Sequence, residues 1–493
     1  MLWPTSPTYA RSGAGQSPPL ISLAAIAVSS IALPFIGVPW TPLTTATSTV
    51  VTCSIIIVAV RFGLRTKFYS TSRSAPVPLG PFQWSWTATS LTVSAAILLT
   101  ATLVGIRSPD DISQTYDNLL HLNGIRYITN TQNASPFWIS TFVAPDAAPV
   151  FYPDLWHATV ALIAQLSGAE IPVAVNAFNL VVSTAVWPAG VLLLTRQFVT
   201  KSPVSTVSAG VLAAIFPAYP LNMLSYGVVY PYFLGVALLP VTLALFLQLL
   251  KLTHDLPVGI SPAIFGVFSI SLFCVGAAHP ASATGFLVLS LPFTLIAFCR
   301  RWGGSSWRKR LLMGLLTALY LGAATFIYAR LTNSFQWPAQ TTRTEAFVQA
   351  LTGSFLGGGL TITVGILAVL GTVVCLLRRD PRGIAAAAAW LVTSILYISA
   401  AGVNAPALRR LTAAWYSDTP RLAALAVIGI IPIAVYGMSW LYDRLRQTQS
   451  ISKLVAPAVV GALLVASVVS SGYPNFLRVM RLSYDSHSDE YID

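Results

Sequence analysis

The sequence has little charge. Asp, Glu, Lys and Arg make up only 9% of its 493 residues, while hydrophobic residues make up 55% and the mean hydropathy is +0.72. A soluble domain carries about 25% charged residues because its surface faces water, so a soluble fold is excluded. Apolar runs of about 17–25 residues, enough to cross roughly 30 Å of hydrocarbon, recur along the chain. Backbone groups in hydrocarbon must pair within their own segment, so these runs predict transmembrane helices.

The motifs of several common chemistries are also lacking. The four cysteines all fall in apolar runs, without the spacing of a disulfide framework or a zinc site. There is no GxxxxGKS/T phosphate-binding loop, and no GxGxxG follows a strand, so ATP-driven transport has no support. The alternating segments of a membrane β-barrel do not occur either. These absences leave an all-α polytopic membrane protein.

The apolar runs predict about thirteen transmembrane helices. They lie at 20–38, 47–61, 88–106, 171–194, 204–218, 229–250, 262–278, 284–299, 311–329, 358–377, 384–401, 421–440 and 455–471. The first run lacks a convincing signal cleavage site and is interpreted as a retained anchor. A further apolar helix at 152–168 is placed on the membrane surface. The chain then divides into an N-terminal two-helix segment (1–80), a core (81–250) with a large outer loop (107–154), C-terminal helices (251–472) and a polar outer tail (473–493).

The charges orient these helices. With the N-terminus in the cytoplasm, alternate segments place 19 of the 28 basic residues inside and 12 of the 15 acids outside. Lys and Arg are enriched in cytoplasmic loops, so we expect a plasma-membrane protein with its N-terminus inside and its C-terminus outside. The excess of positive charge is then a sign of topology, and no nucleic-acid partner is expected.

The outer loop is rich in polar residues. Its run 108–111 (SPDD) is typical of a helix start, with a capping serine, a proline in the first turn and acids at the positive end of the helix dipole. A helix from this point would be amphipathic and suited to the membrane surface. Its polar face would carry Asp110, Gln114, Asp117 and His121. Capping can account for Asp110 and Asp111, which are otherwise functional candidates, whereas Asp117 and His121 would lie away from a helix end and form either a solvated face or a functional group.

Further polar residues lie where the predicted helices reach the outer side. His279 follows one span, and the cluster Trp415, Tyr416, Asp418 and Arg421 precedes another. Tyrosine and tryptophan at this depth are common interfacial anchors. Arg421 differs, because a cation here opposes the charge bias and ionisable groups at membrane depth are functional candidates. Its alternative role is a structural pair with Asp418.

The order of these features resembles that of the GT-C glycosyltransferases, integral-membrane enzymes that use polyprenyl-phosphate-linked sugars at the outer membrane face. Within them, the chain is most similar to a functionally undescribed group of actinobacterial multi-pass proteins. The resemblance runs from about residue 88 to residue 472 and rests on Tyr116-Asp117, His121-Leu122-Asn123, Arg126-Tyr127, Tyr152-Pro153 with Trp156-His157, His279-Pro280, and Trp415-Tyr416 with Asp418 and Arg421. The chain departs from the pattern in having Asn118, where a second acid would directly follow the first, and in lacking a glycine after the loop helix.

The resemblance implies a hexosyl- or pentosyltransferase that moves a sugar from a polyprenyl-phosphate donor in the lipid bilayer to an envelope glycan acceptor. Such a transfer needs a carboxylate to take the acceptor's proton and a cation beside the leaving phosphate. Asp117 is the first candidate base, Asp111 is the second, and His121 is a candidate partner of the base. The candidate substrate-binding residues are Arg421, with Arg126 or Arg410 as substitutes, and Asp418, Tyr416, Trp156, His157 and His279. A divalent metal ion held by Asp110 and Asp111 stays open.

Two other functions compete with this interpretation. One is a lipid-linked sugar flippase or other secondary transporter, and the other is a non-catalytic scaffold for envelope assembly. A transporter predicts ionisable groups near mid-membrane and a repeat with broken helices. The acids instead cluster in outer loops and no convincing repeat is visible, so the glycosyltransferase interpretation is preferred. A scaffold would tolerate the loss of Asp117.

Overall fold

The computed structural model describes residues 17–63, 81–199, 202–253, 262–303, 306–331, 335–359, 361–448 and 454–485. Every regular element within these ranges is a helix. The α-helices are α1 (Ser17–Phe35), α2 (Pro42–Gly63), α3 (Pro81–Ile106), α4 (Asn118–Thr131), α5 (Leu155–Ser167), α6 (Ile171–Val181), α7 (Trp187–Thr195), α8 (Pro203–Ala214), α9 (Asn222–Ser225), α10 (Tyr230–Leu249), α11 (Pro262–Ala278), α12 (Pro280–Trp302), α13 (Trp307–Arg330), α14 (Arg343–Thr352), α15 (Ile362–Leu377), α16 (Pro381–Ala401), α17 (Pro406–Thr412), α18 (Thr419–Gln447), α19 (Val455–Val469) and α20 (Tyr473–Ser483). A π-helical turn, Val182–Val186, joins α6 to α7, and short 3₁₀ turns lie at Ile139–Phe142, Phe355–Gly357 and Ala413–Trp415.

Eight stretches of helix in the described ranges are long and apolar enough to cross a membrane. They are α3, the continuous α6–α7 stretch, α10, α12, α13, α16, α18 and the stretch from α19 into α20. The chain is therefore a multi-pass α-helical membrane protein. Each of the thirteen predicted runs coincides with a helix, but α1, α8, α11 and α15 are shorter apolar helices. Helix length and composition thus support the polytopic architecture and leave the number thirteen unconfirmed.

The centre of the bundle is α18. Its residues from Thr419 to Met438 are almost all buried, and it packs against α8, α15 and α16. Gly371 and Gly437 allow α15 and α18 to approach closely, since a Cβ added at either would collide with the backbone of the opposite helix. Small residues favour such close packing in lipid, where apolar burial does not drive helices together. By contrast, α13 has no buried residue and lies at the edge of the bundle beside α12.

The bundle has two chemically different ends. At one, which we name the loop end, the segments 107–154 and 215–229 contact α20, and the segments 335–359 and 402–418 contact each other; for example, the Trp337 amide donates to the Tyr416 carbonyl at 2.8 Å. At the other, the basic end, arginines join helix termini: Arg196 donates to the Thr87 hydroxyl, Arg301 to the Leu250 carbonyl and Arg382 to the Thr253 carbonyl. The candidate site residues that were predicted from the sequence all lie at the loop end.

The helix predicted to begin at Ser108 does not form there. The chain makes a turn instead, in which the Ser108 amide donates to the Asp111 carboxylate at 3.1 Å. The side-chain amide of Asn176, on α6, donates to the carbonyls of Pro109 and Asp111. These carbonyls are therefore taken by a distant residue, and α4 begins only at Asn118. The predicted helical face that joined Asp110 and Gln114 to the later residues was wrong.

Two further segments differ from expectation. The helix placed on the membrane surface is α5, whose first seven residues are buried against neighbouring helices rather than lying free. The expected polar tail folds back as α20 along the loop end, where the Ser483 carbonyl accepts from the Gln114 amide at 2.6 Å. Residues 486–493 lie outside the described part of the chain, as do 1–16 and 64–80 of the N-terminal segment.

Candidate active site at the loop end

Arg421 lies in the first turn of α18, near the centre of the loop end. Its Nε is 3.2 Å from Oδ2 of Asp418, the N-cap residue, and their side chains are only 14% and 3% exposed. The guanidinium lies over two rings, with its Cζ 4.9 Å from the centroid of Tyr416 and 5.6 Å from that of Tyr232. Its Nη1 is buried and has no hydrogen-bond acceptor among the described residues. A buried donor without an acceptor costs about 1–3 kcal/mol, so this nitrogen can donate a hydrogen bond to an anionic ligand.

The turn before α18 is strained. Tyr416 and Ser417 are consecutive non-glycine residues with φ of 59° and 50°, a left-handed conformation that costs about 1–2 kcal/mol per residue. Hydrogen bonds hold it: the Trp415 indole donates to the Ala281 carbonyl at 3.0 Å, and the Ser417 hydroxyl pairs with Thr412 at 2.8 Å. Such strain persists only where surrounding contacts enforce it, often at functional sites. Here the turn places the Tyr416 ring against the guanidinium.

Asp418 is buried behind Arg421. Burial raises the pKa of its carboxyl to about 6, while Arg421 and a hydrogen bond from Tyr226 oppose the rise. The Tyr226 hydroxyl donates to Oδ1 at 3.5 Å and also interacts with the hydroxyl of Tyr116. Tyr116 in turn stacks on Trp337, with ring centroids 6.5 Å apart. A chain of polar contacts therefore joins the loop before α4, the segment before α10 and the start of α18.

Asp117 is the second ionisable group that faces this cluster. The prediction that it lies away from a helix end was wrong, because α4 begins late and Asp117 occupies its N-cap position; its side chain nevertheless makes no capping hydrogen bond. Partial burial raises the pKa of its carboxyl, and the charge of Arg421 opposes that rise. Asp117 also acts on Asp418, whose pKa it raises. Within the described ranges, the Asp117 carboxylate has no side-chain partner, so it is a partly exposed carboxylate in the electrostatic field of Arg421.

A pair of neutral histidines underlies Asp117. Nδ1 of His121, one turn along α4, is 2.9 Å from Nε2 of His157 on α5. Both rings are buried, and burial lowers the pKa of His121 to about 3. The indole of Trp156 is fully buried beside them, donates to Asn179 at 3.0 Å and stacks on Tyr230. The two histidines and Trp156 thus pack α4 against α5. Because Trp156 is fully buried, it contacts neither a sugar nor the membrane interface.

His279 has a structural function beside the cluster. It is the N-cap residue of α12, where its Nδ1 accepts a hydrogen bond from the Ala281 amide at 3.1 Å. Its pKa is lowered mainly by burial and further by Arg421 and His121. The ring meets that of Tyr232 edge to face, and the Tyr232 hydroxyl donates to the Arg421 carbonyl at 2.8 Å. A neutral His279 therefore helps to fix the start of α18.

The whole cluster lies inside a segment shared with related proteins. A profile of a family of unknown function (DUF6541) matches residues 15–492. The chain belongs to this family. No curated protein matches the chain. The matched residues include both ends of the bundle. Because the family is one of unknown function, a function has to be argued from the site itself.

Other candidates from the sequence lie apart from Arg421. Asp110 is exposed and accepts a hydrogen bond from the Ser108 hydroxyl. Asp111 closes the turn before α4 and lies 3.9 Å from Arg107. Arg126 and Arg410 are exposed. Among the described residues, no group of three or more His, Cys, Asp or Glu could hold a metal ion.

Three residues of the loop end were not singled out from the sequence, of which Tyr232 and Asp154 are buried and Tyr226 is partly buried. Tyrosines at this depth are expected to be interfacial anchors, but the hydroxyls of Tyr226 and Tyr232 bind the Asp418 side chain and the Arg421 backbone. Asp154, at the N-cap position of α5, makes no capping bond, and its buried Oδ2 lacks a partner in the part of the chain that the structure describes. Burial raises the pKa of Asp154 well above its usual value. The pattern Tyr-Pro-Asp before an apolar helix predicts an ordinary cap, so no local signal marks this carboxyl.

Proposed function

We propose that this protein is a glycosyltransferase that moves a sugar from a polyprenyl-phosphate donor to an envelope glycan acceptor. One observation carries the proposal. Among the described residues, the Asp117 carboxylate has no side-chain partner and Nη1 of Arg421 has no acceptor, and these two charged groups interact electrostatically at one end of a membrane bundle. A base and an anion-binding cation are the two groups that this transfer requires.

Asp117 is the proposed general base. The acceptor hydroxyl attacks the anomeric carbon, the bond from that carbon to the phosphate oxygen breaks, and the hydroxyl proton passes to the carboxylate. The leaving polyprenyl phosphate takes the bonding electron pair. A base works best when its pKa lies near the operating pH, and partial burial moves the pKa of Asp117 in that direction. The neutral His121–His157 pair fixes the first turn of α4, directly after Asp117, to α5.

Arg421 is the proposed phosphate ligand. Its guanidinium can hold a phosphate through two parallel N–H···O bonds, a geometry that lysine cannot reproduce. Asp418 occupies one side of the guanidinium, and the rings of Tyr416 and Tyr232 cover its faces. The preorganised cation stabilises the charge that develops on the leaving phosphate and needs no rearrangement during the reaction.

The proposed membrane orientation follows from the two ends. Lys and Arg are retained on the cytoplasmic side, so the basic end with Arg196, Arg301 and Arg382 is placed in the cytoplasm, together with the N-terminus. The loop end and the C-terminus are then outside the plasma membrane, where a lipid-linked donor would meet an envelope acceptor. The exposed apolar surface of helices such as α13 is available to lipid chains.

The test uses a strain that lacks the protein and compares complementing variants. Asp117→Asn keeps the shape and removes the base, so transfer should fall by about 10²- to 10⁴-fold and the lipid-linked sugar donor should accumulate. Asp110→Asn, on the exposed turn, is the matched control and should restore the wild-type lipid profile. Both variants are quantified in the membrane fraction, because equal abundance separates loss of chemistry from loss of folding.

The outcome also separates the competing functions. If Asp117→Asn restores the wild-type profile while Asp111→Asn does not, Asp117 is not the base. If Asp117→Asn and Arg421→Ala both restore the profile, the enzyme is rejected in favour of a transporter or a scaffold. The accumulated lipid, analysed by mass spectrometry, identifies the sugar.

A further inference from the structure

A second cationic site lies at the loop end, outside the proposed active site. A cavity of about 430 Å³ separates the end of α3 from α20. Its charged lining among the described residues consists of Arg107, Arg478, Arg481 and Asp485. Three arginines against one aspartate leave an excess of two positive charges, and arginine does not lose its proton in proteins. The loop end is predicted to be poor in basic residues. A cavity lined by arginines at this end therefore favours an anionic ligand.

The arginines are weakly engaged by the protein. Arg107 lies 3.7 Å from Asp485 and 3.9 Å from Asp111, longer than an ordinary hydrogen bond, and its side chain is half exposed. Such exposed ion pairs contribute about 0–1 kcal/mol. In the described part of the chain, Arg481 bonds through its Nε alone, which donates to the Val104 carbonyl at 2.9 Å. Arg478 has no ion-pair or hydrogen-bond partner within the described residues and is exposed. Most of the guanidinium donors therefore have no acceptor among the described residues.

The remaining walls of the cavity are apolar. Val104, Leu477 and Leu482 lie beside the arginines, so the site combines a cationic part with a hydrocarbon-like part. α20 begins after Gly472, whose φ of 77° turns the chain away from α19. Its buried Met480 packs on Gly105 of α3, while Arg478 and Val479 are exposed. An amphipathic helix with arginines on its polar face, lying at the end of a membrane bundle, is typical of a surface that binds anionic lipids.

We propose that this cavity binds the phosphate headgroup of an anionic membrane phospholipid. The phosphate lies among Arg107, Arg478 and Arg481, since guanidinium groups bind phosphate oxygens through paired N–H donors. The beginning of an acyl chain follows the apolar wall at Leu477. Free phosphate lacks the part that this wall would contact, so a lipid fits the cavity better than a soluble anion.

Occupation of this site would act on the loop that carries Asp117. The Gln114 amide donates to the Ser483 carbonyl at the end of α20, and Arg107 directly precedes the turn that Asp111 closes. A bound headgroup would tie α3 and α20 together and would hold this loop in place. The proposal does not depend on the glycosyltransferase function, because its test measures lipid binding alone.

The test uses the full chain in nanodiscs with a photoreactive phosphatidylglycerol probe, and mass spectrometry maps the labelled peptides. We expect label on residues 474–485, and competition by unlabelled phosphatidylglycerol. Neither phosphatidylcholine nor inorganic phosphate should compete. Arg478→Gln together with Arg481→Gln should reduce this label by about tenfold or more, since two charge-assisted contacts are lost. The matched control, Arg444→Gln with Arg446→Gln at the exposed end of α18, should leave it unchanged.

Three results would overturn the proposal. Equal competition by phosphatidylcholine would mean that the label reports ordinary annular lipid. Displacement by inorganic phosphate would assign the cavity to a soluble anion. Undiminished labelling of the double variant would show that the arginines do not bind the lipid. Arg478→Gln alone keeps the Arg481–Val104 hydrogen bond that anchors α20. This variant should lose less label than the double variant. A loss of label in it is assigned to lipid binding, because the docking of α20 is unchanged.

Discussion

Two helices of this protein start with the same local pattern, one at each end of the bundle. At the basic end, Asp380 is the N-cap residue of α16, a proline follows, and Arg382 lies 3.3 Å from the aspartate. At the loop end, Asp418 is the N-cap residue of α18, the proline comes one position later, after Thr419, and Arg421 lies 3.2 Å from the aspartate. The distance between the charged groups therefore does not distinguish the two pairs.

The two pairs differ in what their remaining polar atoms do. The Asp380 carboxylate caps its helix by accepting from the Arg382 amide at 3.1 Å, and Arg382 also donates to the Thr253 carbonyl. Asp418 caps nothing, and Nη1 of Arg421 has no acceptor among the described residues. A buried donor that lacks an acceptor destabilises the free protein. The same pattern is thus a satisfied helix start at one end and a candidate anion site at the other.

The largest expected difference between the pairs is in phosphate binding. Arg421→Ala removes a charge-assisted contact worth about 1.5–3 kcal/mol, so affinity for a polyprenyl phosphate without sugar should fall by about ten- to hundredfold. Arg421→Lys keeps the charge without the planar fork and should be intermediate. Affinity is measured for purified variants in nanodiscs.

The controls for this measurement come from the other pair and from Asp418. Arg382→Ala should leave the affinity unchanged, because the basic end is distant from the site. Asp418→Ala should be milder than Arg421→Ala, since the phosphate itself can hold the arginine. Asp418→Ala and Arg421→Ala could instead lose the same amount of phosphate affinity, with reduced thermal stability in both. The pair at the loop end would then be structural, like the Asp380–Arg382 pair.

Local sequence properties predicted the helices well. Hydropathy is a property of contiguous residues, and each of the thirteen apolar runs coincides with a helix. The helix start at Ser108 failed because a distant side chain, that of Asn176, takes the carbonyls of the turn. A capping pattern does not reveal such a competitor.

The candidate site was predictable only in part. The pairing of Arg421 with Asp418 follows from their spacing of three residues. The contact of Tyr226 with Asp418 spans 192 positions, and the missing acceptor of Arg421 Nη1 depends on every segment that surrounds it. Trp156 matched a familiar pattern in the sequence, yet its complete burial is a property of the packed bundle. Burial and unsatisfied donors are tertiary properties, and they distinguish the two Asp–Arg pairs.

A second difference between the pairs should appear in the dependence of stability on pH. Burial raises the pKa of Asp418 from 3.8 to about 6 in the folded protein. Between these values the folded state binds more protons than the unfolded state, so this carboxyl's contribution to stability falls as the pH rises. Above about pH 6 the loss is complete. Thermal midpoints across this range should therefore fall more steeply for the wild type than for Asp418→Asn.

The comparison of variants isolates Asp418 from other carboxyls. Asp117 and Asp154 also have raised pKa values, and they contribute a slope of the same sign to both proteins. Only the difference between the wild type and Asp418→Asn is assigned to Asp418. Identical slopes in the two proteins would mean that Asp418 titrates as an ordinary exposed carboxyl, in conflict with its burial.

The smallest expected effect concerns the basic end. Asp380→Ala removes the hydrogen bond that the Arg382 amide donates to the Asp380 carboxylate, and the loss of an N-cap typically costs about 1 kcal/mol. The thermal midpoint should fall slightly, while affinity for polyprenyl phosphate stays at the wild-type value. Asp380→Asn is the matched control, because asparagine also caps helices and should restore most of the stability. A change in phosphate affinity for Asp380→Ala would contradict the division between a capping pair and a binding pair, since it would couple a helix cap at the basic end to the site at the other.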